Sequence, residues 1–494
     1  MTALFGLARR NWQISNPPEV PKSPKPLRVG ILSAADIAPS ALIVPAKTHP
    51  EVVIQVIAAR DPSKAKAFAQ KHGIPEVAAT YQDILDNQNI DCVYIPLPNG
   101  LHLKWALRAL EAGKHVLLEK PSVGNAAEAR ALFRSPLLAS GGPHRTPPVI
   151  LEAAHSFFHP AWSAFMACVS PPDVVSARAV LWVPRWRLGA DDIRYRYELA
   201  GGALMDLGFY TATAIMRVFG GVAEECIECK TEAGSTDARC DRWFKARYRF
   251  PGGDGVSERI GEIEGDFKAP LDRISPDVHV VHRPVVVTGD GDLEADICAE
   301  VERAGGRTRV EVVRIRRVKF ATFVQPTYMH AIDVDDEYEM RKKLEGPAAA
   351  LQPALAVLKT WKRSRTTKAY TFRDIGVDQP GEPYWTTYRY QLEQFVNRVR
   401  GRETGQWFGG EDSIDTLRMI DMAYAAAKLP LRVSEVDRRV EEKLDKSDQI
   451  LGRNTAEPKS DKKMEQMVDK NFSEQKLDRR VEQKPERRGE QRTT

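Results

Sequence analysis

Short apolar runs alternate with helix-like segments between residues 27 and 150. The apolar runs have the length of strands and lie at Leu27–Leu32, Val52–Ala59, Cys92–Pro96 and Val116–Leu118. Segments with helical spacing separate or follow them, at Asp36–Lys47, Pro62–His72, His102–Ala112 and Ala126–Phe133. This alternation is typical of a doubly wound, mainly parallel sheet. We therefore predict an α/β domain over residues 27–150.

After residue 150, stretches that alternate apolar and polar positions dominate. They lie at Val174–Trp182, Ala223–Thr231, Asp241–Phe250, Val278–Val287 and Thr308–Phe320. A period of two indicates half-buried strands, so these stretches predict a large, mainly antiparallel sheet. Tyr388–Arg400 and Ser413–Lys428 have the spacing of amphipathic helices. We predict an α+β domain over residues 151–433.

The two ends of the chain differ from both predicted domains. Five prolines between Pro17 and Pro26 predict an extended arm over residues 1–26. Residues 434–494 are rich in charged residues and glutamine, with Phe472 as their only aromatic residue. Such a composition cannot bury enough apolar surface to offset the entropy of ordering. We predict a disordered tail, with a short coiled-coil partner helix as the alternative.

The overall composition is that of a globular protein with a sizeable core. Of 494 residues, 43% are hydrophobic, and 72 basic against 67 acidic residues give a net charge of +5. This small, scattered excess argues against a nucleic-acid partner. No apolar run approaches the roughly 18 residues that span a membrane, so no membrane partner is predicted either.

Six cysteines in so long a chain do not indicate a disulfide framework. A reducing, cytoplasmic location is therefore predicted. Cys226, Cys229 and Cys240 superficially resemble a metal or redox motif. The first two lie in a strand-like segment, where residues three apart point to opposite faces. We therefore predict no metal site.

The segment after the first strand is a degenerate dinucleotide fingerprint. Three glycines usually stand between the first strand and helix of such a fold, but here the positions are Ser33, Ala35 and Ala38. Small side chains still permit close backbone approach, and a helix N-terminus still favours a pyrophosphate. Arg60 follows the second strand, where enzymes that use NAD carry an acidic residue. A guanidinium binds a 2′-phosphate well, so we predict NADP; the alternative is a surface arginine, with Asp61 binding a plain ribose.

A chemically loaded tripeptide, Glu119-Lys120-Pro121, follows the apolar strand that ends at Leu118. Ligands of open α/β sheets bind at the carboxyl ends of the strands. Asp206 and Tyr210 are four residues apart, which places both on one face of a predicted helix. These three side chains are the candidates for chemistry.

Oxidation of an alcohol needs a base for the hydroxyl proton, and a tyrosine with a pKa near ~10 is a poor one at neutral pH. An ammonium at ~4 Å favours the phenolate by about 4 kcal/mol, or about three pK units. We therefore predict that Lys120 lowers the pKa of Tyr210, while Asp206 orients the substrate hydroxyl or keeps Lys120 charged. In the alternative interpretation, Asp206 caps a turn and Tyr210 anchors a domain interface.

Five motifs in order carry a family resemblance. Together they resemble the Gfo/Idh/MocA oxidoreductases, in particular NADP-dependent D-xylose 1-dehydrogenases and dimeric dihydrodiol dehydrogenases. The resemblance covers residues 27–250 and, more loosely, 380–430. The motifs are Gly30–Ala38, Ala58–Asp61, Pro98–His102, Ala112–Pro121 and Gly201–Tyr210.

The resemblance implies a Rossmann domain, an antiparallel sheet domain and an active site between them. It implies that Lys120 lies near the nicotinamide, that the Lys120–Pro121 bond is cis, and that a homodimer forms through the open face of the second sheet. The implied catalytic residues are Lys120, Tyr210 and Asp206, and Arg194 joins these three in binding substrate. The implied cofactor-binding residues are Ser33, Ala35, Asp36, Ile37, Arg60, Pro98, Asn99, His102, Glu119 and Lys120.

Two departures from the family pattern concern the substrate and the second domain. Phe157 stands near the place of an arginine that is common in the family. The stretch from residue 252 to 375 is long and polar, which predicts insertions.

Three histidines are open to two interpretations each. His102 either approaches the nicotinamide or is a first-turn residue of a helix that Asn99 caps. For His155 and His159 we favour structural roles over positions in the cleft. Bases and aromatics interleave over residues 182–197, which we interpret as a sugar-facing loop and not as a nucleic-acid surface.

The predicted function is transfer of hydride from the anomeric carbon of an aldose, such as D-xylose, to NADP, which gives a lactone. One alternative is trans-dihydrodiol dehydrogenase activity. Another is a non-catalytic, NADP-binding regulatory protein. The presence of Lys120, Asp206 and Tyr210 together favours an enzyme.

Overall fold

The computed structural model describes residues 2–139, 147–234, 236–252, 258–270, 276–287, 295–306, 310–324, 330–342 and 356–433. The tail predicted for residues 434–494 lies outside the described residues.

The first domain is built on a six-stranded parallel sheet with strand order β3-β2-β1-β4-β5-β6. Its central strands are buried on both faces and are therefore continuous apolar runs. The last strand extends the domain two residues beyond the predicted boundary at residue 150. The strands are β1 (Leu27–Leu32), β2 (Val52–Ala58), β3 (Glu76–Val77), β4 (Cys92–Ile95), β5 (His115–Leu118) and β6 (Ile150–Glu152).

Helices cover both faces of this sheet, which confirms the doubly wound fold. The predicted helix at 36–47 is present from residue 38, but as a π-helical segment, Pro39–Ile43, that continues into an α-helix. The α-helices are α2 (Val44–Lys47), α3 (Pro62–His72), α4 (Tyr81–Asp86), α5 (His102–Glu111) and α6 (Ala126–Phe133).

The N-terminal segment differs from the predicted extended arm. Thr2–Ser15 forms a helix, α1, and only the proline-rich part that follows is extended. In α1, the Arg10 guanidinium lies 3.9 Å from the centre of the Tyr370 ring. Lys22 donates to the carbonyls of Ala46 and His49 at 2.7 and 3.0 Å, which holds the extended part against the first domain.

The second domain is built on a sheet of nine described strands, and among these described strands only the β7–β10 pair is parallel. The predicted strands are present, and three further strands, β10, β14 and β15, carry many charged residues that obscured them in the sequence. The strands are β7 (Val174–Pro184), β8 (Glu225–Ala233), β9 (Asp241–Phe250), β10 (Arg259–Ala269), β11 (Asp277–His282), β12 (Val285–Val286), β13 (Val310–Ala321), β14 (Ala331–Lys342) and β15 (Ala356–Lys368).

One face of this sheet packs on helices and the other carries charge. Gly261 faces Ile215 and Phe219 of the helix below it. On the opposite face, Arg178 pairs with Glu262 of the neighbouring strand at 3.1 Å. The helices of the domain are α7 (Pro160–Met166), α8 (Ala203–Asp206), α9 (Gly208–Phe219), α10 (Ala295–Arg303), α11 (Thr387–Val399) and α12 (Gly410–Ala426).

The positions of Cys226 and Cys229 in β8 differ from the prediction. The register shifts between Cys226 and Glu228, where the strand bulges. Cys226 and Cys229 therefore both pack against the core instead of pointing to opposite faces. Burial raises the pKa of both thiols. Within the described ranges, no group of three or more His, Cys, Asp or Glu residues could hold a metal ion.

No single helix in the described part of the chain is long and apolar enough to cross a membrane. One bent pair of helical segments, 197–206 with 208–219, passes that test by length and composition only.

Candidate active site

The Glu119-Lys120-Pro121 tripeptide begins directly after β5, at the carboxyl edge of the parallel sheet, and the Lys120–Pro121 bond is cis. The Glu119 side chain turns inward. It is 8% exposed and accepts a 2.6 Å hydrogen bond from the Tyr94 hydroxyl of β4. Burial raises the pKa of Glu119. The buried Glu119 side chain therefore anchors the tripeptide to the first domain.

Lys120 is bound to the second domain through Asp206. Its ammonium lies 2.5 Å from Asp206 Oδ1 and donates to the Asp206 carbonyl at 3.0 Å. The other carboxylate oxygen accepts from Arg194 Nε at 2.9 Å. Burial acts to raise the pKa of Asp206, but Lys120 and Arg194 outweigh it and hold that pKa well below its usual range. Asp206 is therefore a charged bridge between two cations.

Asp206 and Tyr210 do not share one continuous helix as predicted. Helix α8 ends at Asp206 and α9 begins at Gly208, and the helical segments 197–206 and 208–219 are bent by 46° relative to each other. The two side chains nevertheless meet at Lys120, whose Nζ lies 4.6 Å from the centre of the Tyr210 ring. The site is assembled around the lysine and not along a helix face.

A buried ion pair sets the position of α8. Arg432 and Asp241 are both 0% exposed in their side chains and 3.0 Å apart. Asp241 accepts from the backbone of Leu204 at 2.6 Å, and Arg432 Nε donates to the Gly201 carbonyl at 2.6 Å. Gly202 has φ 138°, and a Cβ there would lie 2.5 Å from Asp241. The turn that leads to Asp206 is thus clamped from both sides.

Tyr210 is not the lysine-activated phenolate that the sequence predicts. Its hydroxyl lies 2.8 Å from His155 Nε2, and it is 5% exposed. Burial, followed by Tyr388 and nearby carboxylates, raises the pKa of Tyr210 well above its ordinary value. The Lys120 charge is directed at Asp206 instead. Tyr210 is therefore a neutral phenol at neutral pH.

The two histidines after β6 have different environments. His155 is 2% exposed, and its Nδ1 lies 2.7 Å from Thr387 Oγ1, which places it behind Tyr210. His159 accepts from the Ala161 backbone at the start of α7, so it is a helix cap as favoured. The structural role favoured for His155 stays a prediction, but its contact with Tyr210 places it beside the candidate site. His155 follows the carboxyl end of β6, at the same sheet edge as Lys120, and this position is the sequence signal that could have placed it near the site.

His102 and Asn99 hold loops together. His102 is 0% exposed, with Nε2 2.7 Å from the Leu97 carbonyl and Nδ1 3.0 Å from the Pro121 carbonyl. It is the first residue of α5, and burial lowers its pKa to about 4. Asn99 does not cap a helix but donates to the Ala200 carbonyl of the second domain at 3.2 Å. Pro98 lies at the start of the same 3-10 turn.

The predicted cofactor loop follows β1. Ser33 has φ 139°, an uncommon conformation for a residue with a side chain. Strands β1 and β2 are neighbours, with Leu32 opposite Ala58, so the Ser33 loop and Arg60 lie at the same edge of the sheet. Arg60 is exposed, and the ion pairs among the described residues do not use its guanidinium. Ala35, Asp36 and Ile37 form the turn before the π-helical segment, with Ile37 38% exposed.

These residues suit a dinucleotide phosphate. The loop after β1 has small side chains, and the guanidinium of Arg60, which makes no ion pair among the described residues, stands at the end of the second strand, the place of the ribose in this topology.

The basic and aromatic loop over residues 182–197 contributes Arg194 to the site, while Trp186 is 71% exposed. Thr387, Tyr388, Arg432 and Asp241 have no sequence motif that marks them.

Comparison with known proteins agrees with this architecture. A family model described as an oxidoreductase family with an NAD-binding Rossmann fold, GFO_IDH_MocA, matches residues 27–135. An NADP-dependent D-xylose 1-dehydrogenase from Haloferax volcanii is 30% identical over 333 residues, which is 67% of this chain and 94% of that protein. The chain belongs to the Gfo/Idh/MocA oxidoreductase family. The resemblance inferred from the motifs is therefore confirmed, and with it membership of a family of NAD(P)-dependent oxidoreductases.

One further relative matches a smaller part of the chain, and one solved structure matches it in fold. A trans-1,2-dihydrobenzene-1,2-diol dehydrogenase from Xenopus tropicalis is 33% identical over 206 residues, 41% of this chain and 59% of that protein. A crystal structure of a 3-ketoreductase from Actinomadura kijaniata with NADP and TDP-benzene superposes with a TM-score of 0.55 at 20% identity. The match covers 81% of this chain and 98% of that one. At this identity the structural match shows the shared fold.

Proposed function

We propose that this chain is an NADP-dependent dehydrogenase that oxidises the anomeric carbon of an aldose to a lactone. The observation that carries the proposal is the position of the Lys120 ammonium. It is held by Asp206 and packed against the Tyr210 ring, at the carboxyl edge of the parallel sheet. A doubly wound sheet binds its ligands at the carboxyl edge of its strands.

NADP, when bound, supplies the hydride acceptor. On the protein side, Ser33, Ala35 and the turn that follows them would accept the pyrophosphate, and Arg60 would bind the 2′-phosphate. The exposure of Arg60 and its position at the same sheet edge as the Ser33 loop support this assignment. The relatives named for NADP support the same cofactor.

Lys120 and Tyr210 have different roles at the reacting sugar hydroxyl. The Lys120 ammonium donates to the reacting oxygen and stabilises the negative charge that develops on it. Asp206 holds that ammonium in place, and the exposed part of Arg194 binds a neighbouring hydroxyl. Tyr210 exchanges the proton with the reacting oxygen.

The dihydrodiol alternative remains the second candidate because relatives with that activity match the chain. The same pair of residues would serve a cyclic diol, since both substrates lose hydride from a carbon that bears a hydroxyl. The xylose dehydrogenase matches over most of its length, and for this reason the aldose is the first choice.

The test measures NADPH formation with a panel of aldoses and trans-dihydrodiols, for the natural protein, Lys120→Met and Tyr210→Phe. We expect turnover on an aldose that each substitution lowers by roughly 10²–10⁴-fold, with NADP binding unchanged in Tyr210→Phe. Lys71→Met is the matched control, because Lys71 is exposed in the last turn of α3. Turnover on dihydrodiols alone selects the second candidate. Tight NADP binding without turnover on any alcohol contradicts the enzyme and favours a regulatory protein.

A further inference from the structure

We propose that His155 is the proton acceptor behind Tyr210 and that Thr387 sets its tautomer. In this relay, Tyr210 passes its phenolic proton inward as it takes the hydroxyl proton of the substrate. The inference rests on the proposed dehydrogenase activity and deepens it. His155 and Thr387 act through Tyr210 and are positioning residues in this sense.

The relay is a line of three side chains from three separate elements. Tyr210 lies on α9, His155 in the turn after β6, and Thr387 at the start of α11. His155 Nε2 is 2.8 Å from the Tyr210 hydroxyl, and Nδ1 is 2.7 Å from Thr387 Oγ1. The Tyr388 ring lies against the imidazole, with centroids 4.0 Å apart and planes 31° apart. Both nitrogens of a buried imidazole are thus committed, and its plane is fixed.

A neutral phenol needs such a partner to act as a base. Burial keeps Tyr210 protonated, so its oxygen can accept a proton only if its own proton leaves in the same step. Burial and then Lys120 lower the pKa of His155 to about 3. The imidazole is therefore neutral at neutral pH, and it has one free lone pair. With Nδ1–H donating to Thr387 Oγ1, that lone pair is on Nε2 and faces the phenol.

The charged groups around the relay stand on every element packed against it. Lys120 and Glu119 follow β5, Asp206 ends α8, Arg194 lies in the loop after β7, and Tyr388 belongs to α11. Of these, the carboxylates raise the pKa of Tyr210 and Arg194 lowers it. None is placed between Tyr210 and His155, which are in direct hydrogen-bond contact.

In the oxidation, hydride and proton leave the substrate by separate routes. The C–H bond of the substrate breaks, and its two electrons leave as hydride to NADP. The O–H bond breaks, its proton goes to the Tyr210 oxygen, and the C=O bond of the lactone forms. The former phenolic proton moves to His155 Nε2, which becomes an imidazolium. After the lactone leaves, the imidazolium returns its proton to the Tyr210 oxygen, and Tyr210 passes the proton taken from the substrate to water in the emptied cleft, which restores the neutral phenol and the neutral imidazole. Reduction runs the same transfers in reverse.

The kinetic test is the pH dependence of kcat for the natural protein and His155→Gln. The relay predicts a nearly flat profile for the natural protein from about pH 6 to 9, since neither group titrates there. In His155→Gln the phenol must first lose its proton to water, so kcat falls by roughly 10²–10³-fold at neutral pH and rises about tenfold per pH unit. Thr387→Val lowers kcat by a smaller factor and Thr387→Ser restores it. A natural slope and rate in His155→Gln overturn the relay.

Two controls separate the relay from folding and from the proposed function. His159→Gln removes a neighbouring buried histidine that caps α7, and it should cost stability without changing the slope of the profile. Tyr210→Phe that abolishes turnover, together with a natural profile in His155→Gln, rejects the relay alone. Turnover that Tyr210→Phe leaves unchanged rejects the site of the proposed function.

A spectroscopic arm needs neither substrate nor cofactor. In protein labelled with ¹⁵N-histidine, the resonance that disappears in His155→Gln identifies the ring. We expect Nε2 of that ring to carry no proton at neutral pH and its signal to shift in Tyr210→Phe. A protonated Nε2, or an unchanged signal in Tyr210→Phe, overturns the relay even if the natural protein turns over no tested alcohol.

Discussion

The Lys120 ammonium lies 2.5 Å from the Asp206 carboxylate and 4.6 Å from the centre of the Tyr210 ring. This geometry directs the lysine charge at the carboxylate and leaves the phenol neutral. We therefore expect the lysine to stabilise negative charge on the substrate oxygen, and we expect the proton to leave by the proposed route through His155 on the other side of Tyr210.

Asp206→Asn should lower kcat by about 10²-fold, because Lys120 loses the charge that holds it. The effect should fall on kcat more than on NADP binding, and steady-state kinetics with a cofactor titration would measure both. Asp192→Asn is the matched control, since Asp192 contacts Arg194 but not Lys120. Equal losses in the two variants would contradict a specific role for the Lys120–Asp206 pair.

Arg60→Ala should weaken NADP binding by roughly 10–100-fold, the value of a lost charge-assisted contact of about 1.5–3 kcal/mol. NAD binding should change little, because NAD has no 2′-phosphate. Titration of each cofactor by fluorescence checks this, with Lys71→Ala as the control. An equal loss for NAD and NADP would show that Arg60 does not read the 2′-phosphate.

Arg432→Met should destabilise the fold by about 3–5 kcal/mol, because it leaves Asp241 charged and buried without its partner. Thermal or denaturant unfolding measures the loss. The double variant with Asp241→Leu should recover part of it, and the exposed Arg418→Met should have little effect. Activity should fall with Arg432→Met below its melting temperature as well, since the clamp positions the turn before Asp206. A double variant less stable than the single one would contradict the unpaired charge of Asp241 as the cause of the loss.

Glu152→Gln should stabilise the protein at alkaline pH and have little effect at acid pH. Burial raises the pKa of Glu152 from 4.5 to about 7. The stability that the neutral Glu152 carboxyl contributes is therefore lost as pH rises from 4.5 to about 7, the window in which the buried group becomes charged. The gain from the amide should reach up to about 3 kcal/mol above the window. Melting temperatures of both proteins across the pH range test this, with the exposed Glu224→Gln as a control that should show no such trend.

Much of the fold could be predicted from local pattern. The apolar runs that become β1, β2, β4 and β5 are buried on both faces, so their composition alone marks them as strands of a covered parallel sheet. Strands β10, β14 and β15 were missed because their outer faces carry dense charge that cross-strand partners satisfy. Lys362, for example, pairs with Asp335 of the neighbouring strand at 3.0 Å. Those partners are distant in sequence, so no local window contains them.

The sequence predicted which residues belong to the candidate site better than it predicted which of them contact one another. Lys120, Asp206, Tyr210 and Arg194 do meet, but the helix that was to carry two of them is broken at Leu207. His155 was assigned a structural role because one histidine in an apolar segment is usually a core residue. Its contact with Tyr210 depends on the packing of α9 against the turn after β6.

The order of strands and helices determined, from sequence alone, that Lys120 stands at the carboxyl edge of a parallel sheet, since that follows from local periodicity and chain direction. Only the tertiary structure decided which partners each side chain of the candidate site contacts and how deeply each is buried. Residues 155, 210 and 387 meet through long-range packing, and the burial that this packing produces keeps Tyr210 protonated and His155 neutral. Proton chemistry depends on burial and on partners within hydrogen-bond distance, and neither is a property of a short stretch of sequence.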